Sequence, residues 1–228
     1  MSFLSSSGFD PNQLATRPET AAEKAATTVN EAAKPSPLLE RILATASDLF
    51  SRQGIRSVSV DTVIEKAGVS KPSLYRLFGS KDRLAIAYLE RHEEDFWRKL
   101  DAIAALHPED MKQRLLTLLD WIDSDISQPD YRGCPLTHAA IEYLGEDHPV
   151  RNAVTAHKRA VRQELAKMAQ QMGAAQPALL ADQLFQLVEG ARITGQLLLS
   201  EGSRGALAFS GRRLIEASLL PAQPQAAE

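Results

Sequence analysis

Apolar residues recur from Leu38 onward at intervals of three and four positions, which is the spacing of one face of an α-helix. The first such face consists of Leu39, Ile42, Leu43, Ala46, Leu49 and Phe50. No stretch of useful length alternates apolar and polar residues with the period of two that half-buried strands show. The pattern therefore predicts an all-α fold.

Serine and glycine residues mark the predicted ends of the first helices. Gly54 and Gly68 are expected to end the first two, because glycine readily adopts the backbone conformation of a helix end. Serines that can cap the next three helix starts are Ser59, Ser70 and Ser80. Pro72 is tolerated in the third helix because the amides of a first turn have no intrahelical acceptor.

Longer helices are predicted after Leu100, where proline and glycine interrupt the apolar periodicity. Their approximate ranges are 109–127, 134–144, 148–172, 177–200 and 204–220. Residues 1–37 and 221–228 are predicted to be tails, the first of them disordered because it contains few large apolar side chains. A weak helix over 20–33 is the alternative for the first tail, since alanine and glutamate favour helix.

The composition indicates a protein that folds without disulfide bonds. The chain has 228 residues, of which 44% are hydrophobic, enough for one small and one larger domain. Its single cysteine, Cys134, cannot form an internal disulfide, which favours a reducing compartment. A signal-peptide pattern and a run of about eighteen apolar residues are both absent, so we expect a soluble, cytoplasmic protein without membrane contact.

Charge is distributed unevenly along the chain, although the formal net charge of -3 at pH 7 does not suggest nucleic-acid binding. Residues 38–90 carry eight basic and six acidic side chains, whereas the rest of the chain has an acidic excess. This placement permits a DNA contact in the N-terminal helices but does not by itself identify one.

A helix, a tight turn with glycine and a second short helix are predicted within residues 58–84, VSVDTVIEKAGVSKPSLYRLFGSKDRL. Apolar positions that can face the core are Val60, Val63, Ile64, Val69, Leu74 and Phe78. Polar positions left to solvent or DNA on the second helix are Lys71, Ser73, Tyr75 and Arg76. This arrangement is that of a helix-turn-helix motif, whose first helix braces the second in the major groove.

The segment AGVSKPSLYRLFGSKDRL at 67–84 resembles the TetR family of transcriptional regulators. The matching positions are Gly68, Val69, Ser70, Tyr75, Phe78 and Lys81. The nine-helix layout that follows the motif is also similar to the family. Ile64 departs from the pattern, because the family commonly has alanine there, and this favours slightly different packing between the first helices.

The resemblance implies a DNA-binding domain at 38–84 and an effector-binding and dimerisation domain at 85–220. It also implies phosphate contacts for Ser59, Tyr75 and Lys81, which would position the protein without reading sequence. By residue chemistry, the candidates for contact with base edges are Lys71, Ser73 and Arg76, and arginine favours guanine because its fork bonds O6 and N7 together. The alternative is that these side chains form an ordinary solvated face.

A homodimer is expected because one helix-turn-helix contacts too few bases for specificity. The helices at about 177–200 and 204–220 are candidates for the interface, since both are apolar on more than one face. Small residues there that would allow close helix approach are Gly190, Ala191 and Gly195. The resemblance likewise implies that these helices pair into a four-helix bundle. An ordinary buried core helix is the alternative.

Cys134, His138 and Glu142 fall on one face at steps of four if 134–144 is helical. Three interpretations remain open: a pocket wall or core helix, a thiol that senses electrophiles or oxidants, and part of a metal site. A metal is not expected from these residues alone, because the three positions span too far for one ion. RGCPLTHAAIE, from residue 132, resembles a TetR subgroup with a Gly-Cys pair.

A small-molecule effector is the expected ligand of the C-terminal domain. Candidate pocket residues are Phe96, Leu100, Ile103, Leu118, Trp121, Ile122, Cys134, His138, Leu165 and Met168. Their apolar character favours a hydrophobic or aromatic ligand, but core packing explains the same residues. We expect the fourth helix, from Lys81 to about Leu100, to transmit ligand binding to the DNA-binding domain.

An enzyme that uses Cys134 and His138 is the rival class of function. The sequence has no glycine-rich phosphate loop, no paired cysteine ligands and no nucleophile elbow, so we expect no catalytic residues and no cofactor. A purely architectural DNA binder is a further alternative, although it would leave the large C-terminal domain without a purpose. The sequence thus predicts a ligand-responsive transcriptional regulator, with repression as the default of the family that it resembles.

Overall fold

The computed structural model describes residues 36–145, 147–198 and 205–219. Within these ranges the chain forms nine α-helices and no strand. The helices are α1 (Pro37–Gln53), α2 (Val60–Ala67), α3 (Lys71–Phe78), α4 (Lys81–Leu106), α5 (Met111–Ile126), α6 (Pro135–Glu142), α7 (Pro149–Gln171), α8 (Pro177–Leu198) and α9 (Ala206–Ser218). The predicted all-α fold is therefore confirmed.

Helix starts follow the predicted serine caps. The side chains of Ser59, Ser70 and Ser80 accept hydrogen bonds from the backbone amides of Thr62, Ser73 and Arg83. A fourth serine, Ser36, caps α1, so that helix includes Pro37, which the sequence had assigned to the tail. Proline is well suited to a first helical turn because its missing N–H would have no acceptor there. The rest of the predicted tails, 1–35 and 221–228, and the alternative helix at 20–33 lie outside the described residues.

The helix predicted over 134–144 is shorter than expected. It spans Pro135–Glu142 only, since Cys134 and Tyr143 both have extended or irregular backbone conformations. Proline at its first position fixes the helix start. Cys134 therefore lies at the N-cap of α6 rather than within the helix, and its side chain makes no capping hydrogen bond.

Two hydrophobic cores hold the helices together. The first lies among α1, α2, α3, the start of α4, α6 and the start of α7. The second lies among the rest of α4, α5, most of α7, α8 and α9. Since α6 packs into the first core, the structure joins this helix to the N-terminal helices.

Helix α4 contributes to both cores. Leu84 and Leu89 are buried in the first, whereas Phe96 and Ile103 are buried in the second. Its 26 residues correspond to a rod of about 39 Å at the usual rise per residue. The packing of α4 thus continues across the domain boundary that the sequence predicted at residue 84. None of the helices in the described part of the chain is long and apolar enough to cross a membrane.

Candidate DNA interface and effector cavity

The turn between α2 and α3 is closed by Gly68. Its backbone is left-handed, with φ 61° and ψ 45°, and its amide donates to the carbonyls of Ile64 and Glu65. The Val69 amide donates to the Ile64 carbonyl as well, at 3.2 Å. Ile64 itself is half-buried against the first core, and Leu74 is fully buried within it. The turn at Gly68 and the buried Leu74 side chain together fix the direction in which α3 leaves the core.

The outer face of α3 presents the polar residues that the sequence singled out. Tyr75 and Arg76 are exposed, and the Arg76 guanidinium has no hydrogen bond or ion pair with any residue that the structure describes. The Lys71 ammonium contacts the Asp61 carboxylate of α2 at 2.9 Å, and this hydrogen bond raises the pKa of Lys71. Ser73 is half-buried, with its hydroxyl 2.8 Å from that of Ser70.

Ser59 and Lys81 flank this face on neighbouring elements. The Ser59 hydroxyl is exposed and occupied by the cap of α2. The Lys81 ammonium donates to the Arg56 carbonyl at 3.1 Å, and burial lowers the pKa of this lysine. Lys81 therefore binds the loop between α1 and α2 in this conformation.

A cavity lies within the second core, between α4, α5, α7 and α8. Its empty volume, including the part open to solvent, is about 490 Å³. The lining residues are Phe96, Leu115, Leu118, Leu119, Ile122, His157, Lys158, Val161, Leu165, Leu184, Phe185, Val188, Glu189 and Arg192.

Four of the predicted pocket residues line this cavity: Phe96, Leu118, Ile122 and Leu165. Four other predicted pocket residues lie in or against the second core but do not line the cavity: Leu100, Ile103, Met168 and Trp121. Cys134 and His138 are also absent from the lining.

Charged side chains form the polar end of the cavity, which we define as Lys158, Glu189 and Arg192. The Lys158 ammonium lies 2.5 Å from one carboxylate oxygen of Glu189, and the Arg192 guanidinium lies 3.8 Å from the same oxygen. The other oxygen accepts a hydrogen bond from the Thr137 hydroxyl of α6 at 2.8 Å. Burial raises the pKa of Glu189, but these partners outweigh it and hold the pKa below its usual value. The carboxylate therefore stays charged at neutral pH.

Cys134 lies directly behind the polar end. Its sulfur is 3.6 Å from the Lys158 ammonium and 3.5 Å from the Arg192 guanidinium. Burial raises the pKa of the thiol, but the two cations and a hydrogen bond with Thr137 outweigh burial, so the pKa lies below its usual value. The site thus favours the thiolate more than an ordinary buried cysteine does.

His138 connects α6 to α8. Its Nε2 lies 2.7 Å from the side-chain oxygen of Gln196. Gly133, just before α6, has φ 85°, and a Cβ atom at this position would lie 2.5 Å from the Gln196 oxygen and 2.6 Å from the His138 ring nitrogen. Glycine at 133 therefore suits the backbone conformation, and a larger residue would also require the ends of the Gln196 and His138 side chains to shift.

Glu142 connects the other end of α6 to the N-terminal helices. Its carboxylate accepts hydrogen bonds from the backbone amides of Ile55 at 3.1 Å and Arg56 at 2.6 Å. The Arg56 guanidinium donates to the Glu142 carbonyl at 3.1 Å. The loop between α1 and α2 is thus held by α6 and by Lys81.

Cys134, His138 and Glu142 do not form one site, contrary to the face drawn from a helix over 134–144. Because Cys134 precedes the helix, each of the three has different partners. The described residues contain no group of three or more histidine, cysteine or acidic side chains that could hold a metal ion.

The exposed apolar residues of the last two helices include Leu179, Leu197, Leu198 and Phe209. Gly190 is exposed on α8 with no other side chain near its Cα. Gly195 differs, because a Cβ there would collide with Ile126 of α5, and Ala191 packs partly against the second core. The expectation that Gly195 allows close approach of a partner is therefore wrong; it allows close packing within the chain.

Comparisons with known proteins agree with the helix-turn-helix geometry. Residues 42–88 match the family model described as bacterial regulatory proteins, tetR family. The crystal structure of SCO4454, a TetR-family transcriptional regulator from Streptomyces coelicolor, has a TM-score of 0.71 and 27% identity, covering 80% of this chain and 94% of that one. Residues 42–88 therefore match the TetR family, and the described helices are similar to those of a solved TetR-family regulator.

Two curated relatives are similar to this chain over its N-terminal part. An HTH-type transcriptional regulator in the lacX 3' region of Lactococcus lactis subsp. lactis is 30% identical over 115 residues, 49% of this chain and 58% of that protein. The HTH-type transcriptional activator FasR of Mycolicibacterium smegmatis is 36% identical over 87 residues, 37% of this chain and 40% of that protein. The chain thus spans about half the length of these relatives. The proteins it resembles are transcriptional regulators rather than enzymes.

Sequence reasoning missed the polar end of the cavity. A signal was present, because Glu189 and Arg192 are two of the three charged residues in the largely apolar stretch LADQLFQLVEGARITGQLLL. Charged groups are rarely buried unless they are paired. Two opposite charges three positions apart on a predicted core helix therefore indicate a buried charge pair.

Proposed function

We propose that this protein is a ligand-responsive repressor that binds palindromic operator DNA as a homodimer and is released by a small molecule. Residues 38–84 would form the DNA-binding domain, and 85–220 the effector-binding and dimerisation domain. The observation that carries this proposal is that one helix, α4, begins beside the helix-turn-helix and lines the cavity with Phe96.

The DNA contacts that we propose lie on and beside α3. Arg76 has its donors free among the described residues, which suits contact with a guanine edge. Lys71 and Ser73 are the other candidates for base contacts, although Lys71 must exchange Asp61 for DNA. Tyr75, Ser59 and Lys81 are the candidates for phosphate contacts.

Two helices support coupling between the cavity and DNA. Helix α4 has residues in both cores, as expected for the proposed lever. Helix α6 adds a second path, because Thr137 contacts Glu189 at the cavity while Glu142 holds the loop before α2. A ligand that prefers one arrangement of these helices would change the operator affinity, with a typical coupling of about 1–3 kcal/mol.

The homodimer would form through α8 and α9, whose exposed face carries Leu197 and Phe209. Two copies are needed to place two recognition helices about 34 Å apart on DNA.

Operator binding by the full-length chain tests this proposal. Sheared genomic DNA would be selected on immobilised protein, and the enriched fragments would be titrated by fluorescence anisotropy. We expect a near-palindromic consensus and release by compounds that bind the cavity. Binding without sequence preference would contradict the regulator. A fall rather than a rise of the target transcripts on gene deletion would contradict repression and indicate activation.

Thiol sensing through Cys134 is a second candidate mode of control, favoured by the two cations beside its sulfur. In this mode the thiolate adds to the β-carbon of an α,β-unsaturated carbonyl compound. A C–S bond forms, the electrons of the C=C bond move into an enolate, and the enolate takes a proton from water. The adduct would push Lys158 away from Glu189 and disturb α6.

Methyl vinyl ketone is a suitable probe for the thiol candidate. We expect a single adduct on Cys134 by mass spectrometry, loss of operator binding, and no response in Cys134→Ser. The alkylation rate should reach half its maximum below pH 9.0, the ordinary thiol value, because the cations lower the pKa. Lys158→Gln should move this midpoint upward. An unmodified Cys134 or an unaltered response in Cys134→Ser would exclude the mode.

A further inference from the structure

The cavity is asymmetric in its chemistry. Apolar side chains from α4, α5 and α8, including Phe96, Leu118 and Leu184, form most of its wall. Lys158, Glu189 and Arg192 supply the charges at one end. A molecule that fills the cavity must therefore be apolar over most of its length and polar at one end.

The polar end has more cationic than anionic groups on its wall. Glu189 balances one of the two cations, Lys158 and Arg192, and already has Lys158 and Thr137 as close partners. Asp125 also interacts with Arg192, but this residue does not line the cavity, and burial raises the pKa of its carboxyl. One positive charge on the wall is thus left without an anion inside the cavity.

Arg192 also has unused hydrogen-bonding capacity. A guanidinium carries five N–H donors, yet among the residues described Arg192 forms one hydrogen bond, to the Cys134 sulfur at 3.5 Å. Its contact with Glu189 is a longer ion pair of 3.8 Å. The Arg192 side chain is 17% exposed, so these donors are withdrawn from bulk water. Buried donors of this kind are costly unless a partner arrives.

A second polar group lines the cavity without a hydrogen bond. His157 is 5% exposed, and its Nδ1 has no hydrogen-bond partner, although the Glu93 carboxylate lies 3.3 Å away. Its ring packs edge-on against Phe96, at a centroid distance of 5.7 Å. This polar ring lines the same cavity as the cationic groups.

From these observations we propose that the effector is an amphipathic anion, an alkyl or aromatic body with one carboxylate, whose head binds Arg192 and Lys158 in competition with Glu189. This inference rests on the proposed ligand-responsive function and names its ligand class. A carboxylate matches the guanidinium fork, and charge-assisted hydrogen bonds are about twice as strong as neutral ones. A cationic head would face two like charges, and a neutral head would gain only the weaker bonds.

Octanoate, octanol and octylamine test the class, because each has eight carbons in one unbranched chain and they differ chiefly in the head group. Dissociation constants would be measured on the full-length protein by isothermal titration calorimetry. We expect octanoate to bind about tenfold more tightly than either competitor, a difference of about 1.4 kcal/mol. Equal affinity for the three compounds, or no octanoate binding below about 1 mM, would overturn the proposal.

Arg192→Gln tests the assigned partner of the head group. This variant should lose the preference for octanoate while keeping its octanol affinity, and Arg192→Lys should recover part of the preference. Glu189→Gln should bind octanoate more tightly than wild type, since the competing carboxylate is gone. Arg98→Gln removes an exposed arginine of α4 and serves as the matched control. A preference that survives Arg192→Gln would refute the assignment.

Operator release separates this inference from the proposed function. Octanoate that binds with the expected preference but leaves operator affinity unchanged would support the ligand class and contradict ligand control. Operator release by a neutral or cationic compound at the same cavity would support ligand control and overturn the ligand class.

Discussion

Residues on α3 differ in whether they must give up a partner within the protein before they can contact DNA. Arg76 is free among the described residues, whereas Lys71 is paired with Asp61 and Ser73 with Ser70. An exposed ion pair of this kind contributes little to stability, so Lys71 can leave Asp61 at small cost. Arg76 is nevertheless the residue whose base contact requires no broken partner.

Arg76→Ala should relax operator specificity. Loss of a bidentate contact with guanine costs about 1–3 kcal/mol at that base pair, and the affinity for unrelated DNA should change much less. Anisotropy titrations on the operator and on a scrambled duplex would measure both effects. Tyr75→Phe is the matched comparison, because loss of a phosphate contact should weaken both duplexes alike. An equal loss on both duplexes in Arg76→Ala would contradict the base-reading role.

Gly133→Ala should destabilise the fold more than Gly173→Ala. Both glycines have φ 85°, but nothing lies within 4 Å of a Cβ at Gly173, whereas a Cβ at Gly133 meets Gln196 and His138. The shared backbone strain costs about 1–3 kcal/mol, and the crowding at 133 adds to it. Thermal unfolding of the two variants would isolate the crowding. Equal melting temperatures would show that Gln196 and His138 move aside freely.

Helical elements differ in how far their sequence determines them. The starts of α2, α3 and α4 were predictable, because each depends on a serine and the amide three residues later. The pairing of Lys158 with Glu189 at the polar end of the cavity was not, since these residues lie 31 positions apart on different helices. The apolar pocket residues predicted from the sequence are divided between the cavity wall and the core, because contacts between different helices decide which of them face the cavity. Leu118 and Met168 are equally buried, and only the packing of α4, α5, α7 and α8 puts the first beside the cavity.

Helix α6 shows how a misplaced helix start changes a functional interpretation. A helix over 134–144 put Cys134 in line with Glu142, but Pro135 begins the helix one residue later. Cys134 therefore contacts Lys158 of the polar end from outside the cavity, whereas Glu142 contacts the loop between α1 and α2. The two ends of α6 thus contact the two regions that the proposed function must couple.

Glu142→Gln should weaken the attachment of α6 to the N-terminal helices. The carboxylate accepts two backbone amide bonds, and hydrogen bonds to a charged group contribute about 1.5–3 kcal/mol each, less where solvent reaches them. We expect a lower melting temperature, weaker operator binding and a smaller response to effector. Glu94→Gln, on the exposed side of α4, controls for the loss of one negative charge. An unchanged effector response with intact folding would exclude α6 as a coupling path.

The whole molecule joins two cores through shared helices rather than a flexible linker. Residues of α4 and α7 are buried in both cores, so two continuous helices connect the N-terminal helices to the cavity. Under the proposed function, a change in cavity shape would alter the position of α3 relative to a second copy. This step requires a dimer whose interface lies away from α3, which α8 and α9 can supply.

Phe209→Glu tests that interface at the scale of the whole molecule. Phe209 is 63% exposed on α9, and a glutamate buried in its place against a second copy would lose its hydration without a partner. We expect a monomer by sedimentation velocity, with the melting temperature of the isolated chain little changed. Because a monomer contacts one half-site, its affinity for the full palindrome should fall to that for a half-site duplex. Leu106→Glu is the matched control, since Leu106 is 70% exposed at the end of α4 and outside the proposed interface. A dimer that survives Phe209→Glu but dissociates in Leu106→Glu would move the interface from the last two helices to the end of α4.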